Sequence, residues 1–154
     1  MSARNVLAIV VIAAALVACS AKKKPAQPQA SPDAAAAMAA AAVDAQASVA
    51  QAGARIYSGN CVPCHQQTGL GIAGVYPSLA GSPVVLGDPA QLALWVVKGQ
   101  RPASMPAGRY PTQMLQFGWM KPADAAALFS YLRSNFGNSA SPVDAAAVAK
   151  ALGQ

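Results

Sequence analysis

Cys61-Val62-Pro63-Cys64-His65 is the stretch on which the reading of this chain turns. Cysteine is rare, with 3 in 154 residues, and His65 is the only histidine. Two thiols separated by two residues, with an imidazole directly after them, suit few chemistries. Half a zinc site needs a second Cys or His pair, which the chain lacks. A thioredoxin-like dithiol opens a helix after a strand in a βαβ pattern, and nothing strand-like precedes Cys61. The pattern reads instead as the covalent attachment site of a c-type haem. In that chemistry the two thiols add across the porphyrin vinyl groups, and the histidine ligates the iron through one ring nitrogen.

The third cysteine, Cys19, has a separate explanation. Arg4 supplies a short basic region, and Val6 to Ala18 is an apolar run of 13 residues. That run is too short to span a membrane and suits the core of a signal peptide. It ends in Leu16-Val17-Ala18-Cys19, which resembles the lipobox of bacterial lipoproteins. Residues 1–18 are therefore expected to be a lipoprotein signal peptide, with Cys19 diacylated and serving as the membrane anchor. All three cysteines are then assigned, one to lipid and two to haem, and no disulfide is expected. Residues 19–44 read as the lipidated cysteine and an Ala/Pro-rich tether. Lys22, Lys23 and Lys24 are followed by a Pro/Gln/Ala stretch and an alanine run from Ala34 to Ala42. Little here would build a core.

Residues 45–154 are enough for one small domain. The chain is 55% hydrophobic, but alanine inflates that figure and aromatics make up only 6%. A covalent haem would supply apolar volume that so lean a chain otherwise lacks. No stretch shows sustained period-two alternation, so the expected class is all-α. Ala45 to Ser58 reads as a helix ending at Ser58-Gly59-Asn60. Asp88-Pro89-Ala90-Gln91 is a helix start, with an Asp cap and Pro at the first helical position. That helix stops at Gly99. Pro122 opens another, with Leu128, Leu132 and Phe136 on one stripe and Gly137 just past its end. Ser141-Pro142-Val143-Asp144 begins a short terminal helix. Gly69-Leu70-Gly71-Ile72-Ala73-Gly74 matches G-x-G-x-x-G, but without a βαβ unit it is not read as a dinucleotide site. Its glycines are expected to let backbone pass close to the haem edge.

Residues 52 to about 140 resemble the class I c-type cytochromes, in particular small monohaem cytochromes and the haem domains of bacterial dehydrogenase cytochrome subunits. Gly53-x-x-x-Tyr57-x-x-x-Cys61 looks like that family's N-terminal helix, and Leu128-x-x-Tyr131 like its partner on the C-terminal helix. The resemblance implies a cytochrome c fold, with these helices crossing and loops wrapped around one covalent haem c. Tyr76-Pro77-Ser78-Leu79-Ala80-Gly81 resembles the loop in which a proline carbonyl accepts a hydrogen bond from the ligand histidine, which gives that role to Pro77. The family's sixth ligand is methionine. Met1 and Met38 lie outside the expected domain, leaving Met105, Met114 and Met120. Met114-Leu115-Gln116-Phe117-Gly118-Trp119 resembles the family's Met-Pro-x-Phe-Gly-Trp run, with Leu115 where proline is usual. Met114 is the expected ligand. Met105, in a Met-Pro dipeptide common at this site, is the alternative, and Met120 lies almost on the next helix.

The chain carries a net charge of +6. From residue 52 onward, seven cations stand against Asp88, Asp124 and Asp144. Charges so sparse, with no recognition element, do not indicate nucleic-acid binding, but they could speed docking to an acidic partner. The reading is an electron carrier rather than an enzyme, with no small-molecule substrate of its own. Its expected partners are redox proteins: a dehydrogenase or respiratory complex, an oxidase, or another cytochrome. Its expected location is the periplasm-facing side of the bacterial cell envelope. A haem enzyme or gas sensor with an open or labile sixth site is the alternative.

Overall fold

The computed structural model describes residues 32–105 and 107–154. The signal, Cys19 and the lysine run of the sequence reading lie outside the described residues. Among the described residues six helices follow one another: α1 (Pro32–Asn60), α2 (Val62–His65), α3 (Pro83–Leu86), α4 (Pro89–Lys98), α5 (Pro122–Ser134) and α6 (Ala145–Leu152). Among the described residues the only β feature is an isolated bridge between Ile72 and Tyr76. No described helix is long and apolar enough to cross a membrane.

The best-marked helix in the sequence, α4, forms as its local code dictates. The Asp88 side chain accepts from the Ala90 N–H at 2.9 Å, Pro89 opens the first turn, and Gly99 closes it in the left-handed conformation. Asp144 likewise accepts from the Ala146 and Ala147 N–H groups to start α6. The short α3 was not expected from the sequence.

Two boundaries differ from the sequence reading. α1 starts at Pro32 and crosses residue 44 without a break. Residues 33–51 are exposed throughout, so no apolar stripe announces this part of the helix. Alanine propensity suffices once the packed end of α1 removes the need for a separate nucleus. At the other boundary, α5 ends at Ser134, and Phe136 is not on its stripe. Phe136 adopts φ +60 and its ring turns back toward α1, 5.0 Å from Tyr57 and 5.8 Å from Tyr131.

The fold depends on α1 crossing α5 at Gly53. A Cβ at that position would lie 2.2 Å from the Ala127 carbonyl oxygen and 2.7 Å from Tyr131 Cβ. Only a residue without a side chain permits this approach. One turn later Tyr57 is 2% exposed and sits 5.5 Å from Tyr131 across the same crossing. α4 and α6 complete the core through Leu92, Val96, Val148 and Leu152. Arg133 of α5 is buried, donating to the carbonyls of Val85, Gly87 and Ser141 at 2.8 to 2.9 Å. It thereby ties the segments before α4 and α6 to α5 without a carboxylate partner.

Two glycines of α1 make the crossing testable. Gly53→Ala is expected to destabilise the domain by about 1–3 kcal/mol through overpacking, although alanine favours helix. Gly59, with nothing within 4 Å of its absent Cβ, is the control. Gly59→Ala should be neutral or stabilising by up to about 1 kcal/mol. Urea unfolding of both variants checks the pair.

Candidate haem-binding site

α1 delivers the cysteine motif. Its ladder runs directly into the motif, with the Cys61 N–H donating to the Tyr57 carbonyl at 2.8 Å. α2 is a single turn in which the Cys64 and His65 N–H groups both donate to the Cys61 carbonyl. The turn stops at Gln66, which takes φ +62, and the Tyr57 hydroxyl donates to the Gln66 carbonyl. Cys61, Cys64 and His65 thus project from one short turn, and all three line a cavity of about 320 Å³. That volume lies in the range of small-molecule and cofactor sites.

The two thiols are free. Burial, with Cys64 beside it, pushes the Cys61 thiol up to about 11. A thiol so protonated at neutral pH is the reverse of a reactive dithiol, which needs a lowered value. His65 is 6% exposed. Burial lowers its pKa, partly opposed by the Pro77 hydrogen bond, and the neutral imidazole this favours is the form that ligates metals. Nδ1 lies 3.0 Å from the Pro77 carbonyl oxygen. A carbonyl only accepts, so Nδ1 carries the proton and Nε2 keeps its lone pair for a ligand. Among the described residues no three His, Cys, Asp or Glu side chains cluster as a metal site.

Gly71 braces this pair. Its N–H donates to the His65 carbonyl at 3.0 Å, and a Cβ on it would meet the Tyr76 and Pro77 carbonyl oxygens at 2.4 and 2.6 Å. Gly69 gives way instead to the Phe136 ring, which its Cβ would meet at 2.4 Å. Gly71 and Gly69 therefore make room for backbone and for a ring, respectively.

The rest of the wall comes from α4 and the segment that follows it. Trp95, Met105, Tyr110, Met114 and Phe117 line the same cavity as His65. Both Met105 and Met114 are half-buried, whereas Met120 is 2% exposed, packs in the core and is not on the cavity wall. The segment is held on α4, where the Phe117 N–H donates to the Val96 carbonyl at 3.0 Å. Trp95 and Tyr110 were not singled out from the sequence. Trp95 sits among the apolar residues of α4 and Tyr110 in an irregular stretch, so neither carries a local signal that separates cavity wall from core.

The donors fit a covalent haem: two unpaired thiols, a histidine with a free Nε2, two thioethers and apolar aromatic walls. The fold and the site together define a small all-α haem protein. The family model for cytochrome c matches residues 50–136, and the chain belongs to the cytochrome c family. It is 33% identical over 93 residues to the cytochrome c subunit of the quinone alcohol dehydrogenase of Gluconobacter oxydans, covering 58% of this chain and 19% of that one. It is also 33% identical over 98 residues to cytochrome c-552 of Thermus thermophilus, covering 60% of this chain and 66% of that one. A further Thermus thermophilus cytochrome c-552 matches at 32% identity over 92 residues, 70% of its length. The chain thus spans a fifth of the dehydrogenase subunit and about two thirds of the small cytochromes. Membership implies a covalently held haem c and electron transfer.

Gly71→Ala should force the Pro77 carbonyl away from His65. The expected result is a loss of more than about 2 kcal/mol of stability and a shifted midpoint potential in the haem-loaded protein. Gly74, at φ +74 with nothing within 4 Å, is the control. Gly74→Ala bears a similar left-handed strain of about 1–2 kcal/mol and should leave the potential unchanged.

Proposed function

We propose that this chain is a lipid-anchored monohaem cytochrome c, held at the membrane through Cys19 and facing the periplasm. It carries one electron at a time between a dehydrogenase or respiratory complex and an oxidase or another cytochrome. The observation that carries this reading is one cavity whose wall brings Cys61, Cys64 and His65 together with Met105 and Met114. When bound, haem supplies the change between ferric and ferrous iron. Cys61 and Cys64 would hold the porphyrin as thioethers. His65 would ligate the iron through Nε2, with Pro77 keeping that tautomer. Met114 would supply the second protein ligand, a thioether of the kind that favours the ferrous state and raises the potential. The largely apolar wall would limit access of water to the iron. The naming of the Gluconobacter relative as a dehydrogenase subunit supports a dehydrogenase as one partner, and the similarity to cytochromes c-552 supports a small carrier.

Substitution of each methionine tests the ligand set. Met114→Ala should abolish the near-infrared band of a methionine-ligated ferric haem and open the ferrous iron to rapid carbon monoxide binding. Met105→Ala and Met120→Ala should keep the band. A band that survives Met114→Ala and disappears in Met105→Ala moves the assignment to Met105. High-spin ferric iron in the parent overturns the carrier in favour of an open-site haem protein.

The anchor has its own test. Cys19→Ser should release the protein from the membrane fraction and abolish incorporation of labelled palmitate, with the haem spectrum unchanged. A variant that stays membrane-bound contradicts lipidation as the anchor.

A further inference from the structure

Among the described residues two that are not glycine have positive φ, Gln66 and Phe136. Tyr57 meets both. Its ring centre lies 5.0 Å from that of Phe136, and its hydroxyl donates to the Gln66 carbonyl. Gln66 directly follows His65 and sits at φ 62 and ψ 163. That region is essentially reserved for glycine, and a side chain persists there only where the surroundings over-determine it. Here they do so through three hydrogen bonds. The Gln66 N–H donates to the Val62 carbonyl at 2.9 Å. The Gln66 carbonyl accepts from the Gly69 N–H at 3.1 Å and from Tyr57. Of the three, only the bond from Tyr57 reaches in from α1 and from a side chain.

The bend at Gln66 returns the chain to the motif. Gly71 comes back to donate its N–H to the His65 carbonyl at 3.0 Å. The Gly69 carbonyl accepts from the Leu79 N–H at 2.7 Å, which draws in the loop that carries Pro77. The Pro77 carbonyl then meets His65 Nδ1 at 3.0 Å. The backbone of His65 and the partner of its ring both depend on the conformation of Gln66.

We propose that Tyr57 is a positioning residue for His65: its hydroxyl holds Gln66 in the strained conformation and so keeps the His65–Pro77 hydrogen bond closed. The inference rests on the haem reading above, in which His65 is an iron ligand. Loss of the hydroxyl leaves the ring packing in place but lets Gln66 relax to negative φ. The bond to Pro77 then weakens, the imidazole becomes a less basic ligand, and the ferric state loses support.

The test uses the haem-loaded protein. Tyr57→Phe is expected to raise the midpoint potential and to speed hydrogen exchange at the Gly71 amide about fivefold, the effect of losing one hydrogen bond. Glycine takes the Gln66 conformation without strain, so Tyr57→Phe made together with Gln66→Gly should move both readouts much less. Tyr131→Phe, in the same ring cluster, should match the parent. The strain is read separately by urea unfolding, where Gln66→Gly is expected to have a higher midpoint than Gln66→Ala. Tyr57→Phe with the parent's potential and exchange rate overturns the proposal. An equal change with and without Gln66→Gly also overturns it, because the hydroxyl then does not act by holding Gln66. A higher urea midpoint for Gln66→Ala removes the strain on which it stands. A parent chain that carries no covalent haem overturns the haem reading itself, and with it any role for Tyr57 at an iron ligand.

Discussion

The contact of Gly53 against the Ala127 carbonyl is the constraint from which the rest of the domain is built. α1 carries both the crossing and the cysteine motif, with Gly53, Tyr57 and Cys61 four residues apart on one face of the helix. Fixing the crossing therefore fixes where Cys61 emerges. The Tyr57, Tyr131 and Phe136 rings fill the space beside it at centroid distances of 5.0 to 5.8 Å. The Tyr57 hydroxyl then reaches the Gln66 carbonyl just beyond His65. Burial, with Cys61 and Tyr131 alongside, pushes that hydroxyl up to about 12, so it remains a neutral donor. The helix crossing, the aromatic cluster and the end of the motif turn are one connected set of contacts.

What could be read from the sequence follows from where the information is local. α4 is legible because its signals sit within a dozen residues: an Asp cap, a first-turn Pro and a terminal Gly. The motif at Cys61 is legible because its spacing is itself the chemistry. The length of α1 is not legible, because Asp33 to Gln51 faces solvent all round and presents no period to detect. Phe136 misleads for a different reason. It falls in step with Leu128 and Leu132, yet a tertiary demand from Tyr57 and Gly69 draws it off the helix into a left-handed turn. The methionines divide in the same way. Met120 belongs to the core by burial, which only the assembled fold reveals. Met105 and Met114 lie on irregular chain where no periodicity separates them, and the fold brings both to the cavity.

The surroundings of His65 show how a small domain controls a ligand through backbone alone. No carboxylate approaches the imidazole. Its orientation comes from the Pro77 carbonyl, and that carbonyl is positioned by the loop that closes at Gly71. A backbone acceptor carries no net charge, so it sets the tautomer without making the ring as basic as a carboxylate partner would. A neutral partner on a pinned loop thus orients the ring without adding a formal charge beside it.

That balance gives meaning to the sparse charge of the domain. Arg133, the one deeply buried cation among the described residues, is matched by carbonyls rather than by an anion, and it acts on the segments before α4 and α6. The two capping aspartates act on their own helices. Almost every formal charge in the folded part is thus committed to helix ends or solvent, and the cavity wall is built mainly from aromatic, thioether and aliphatic side chains.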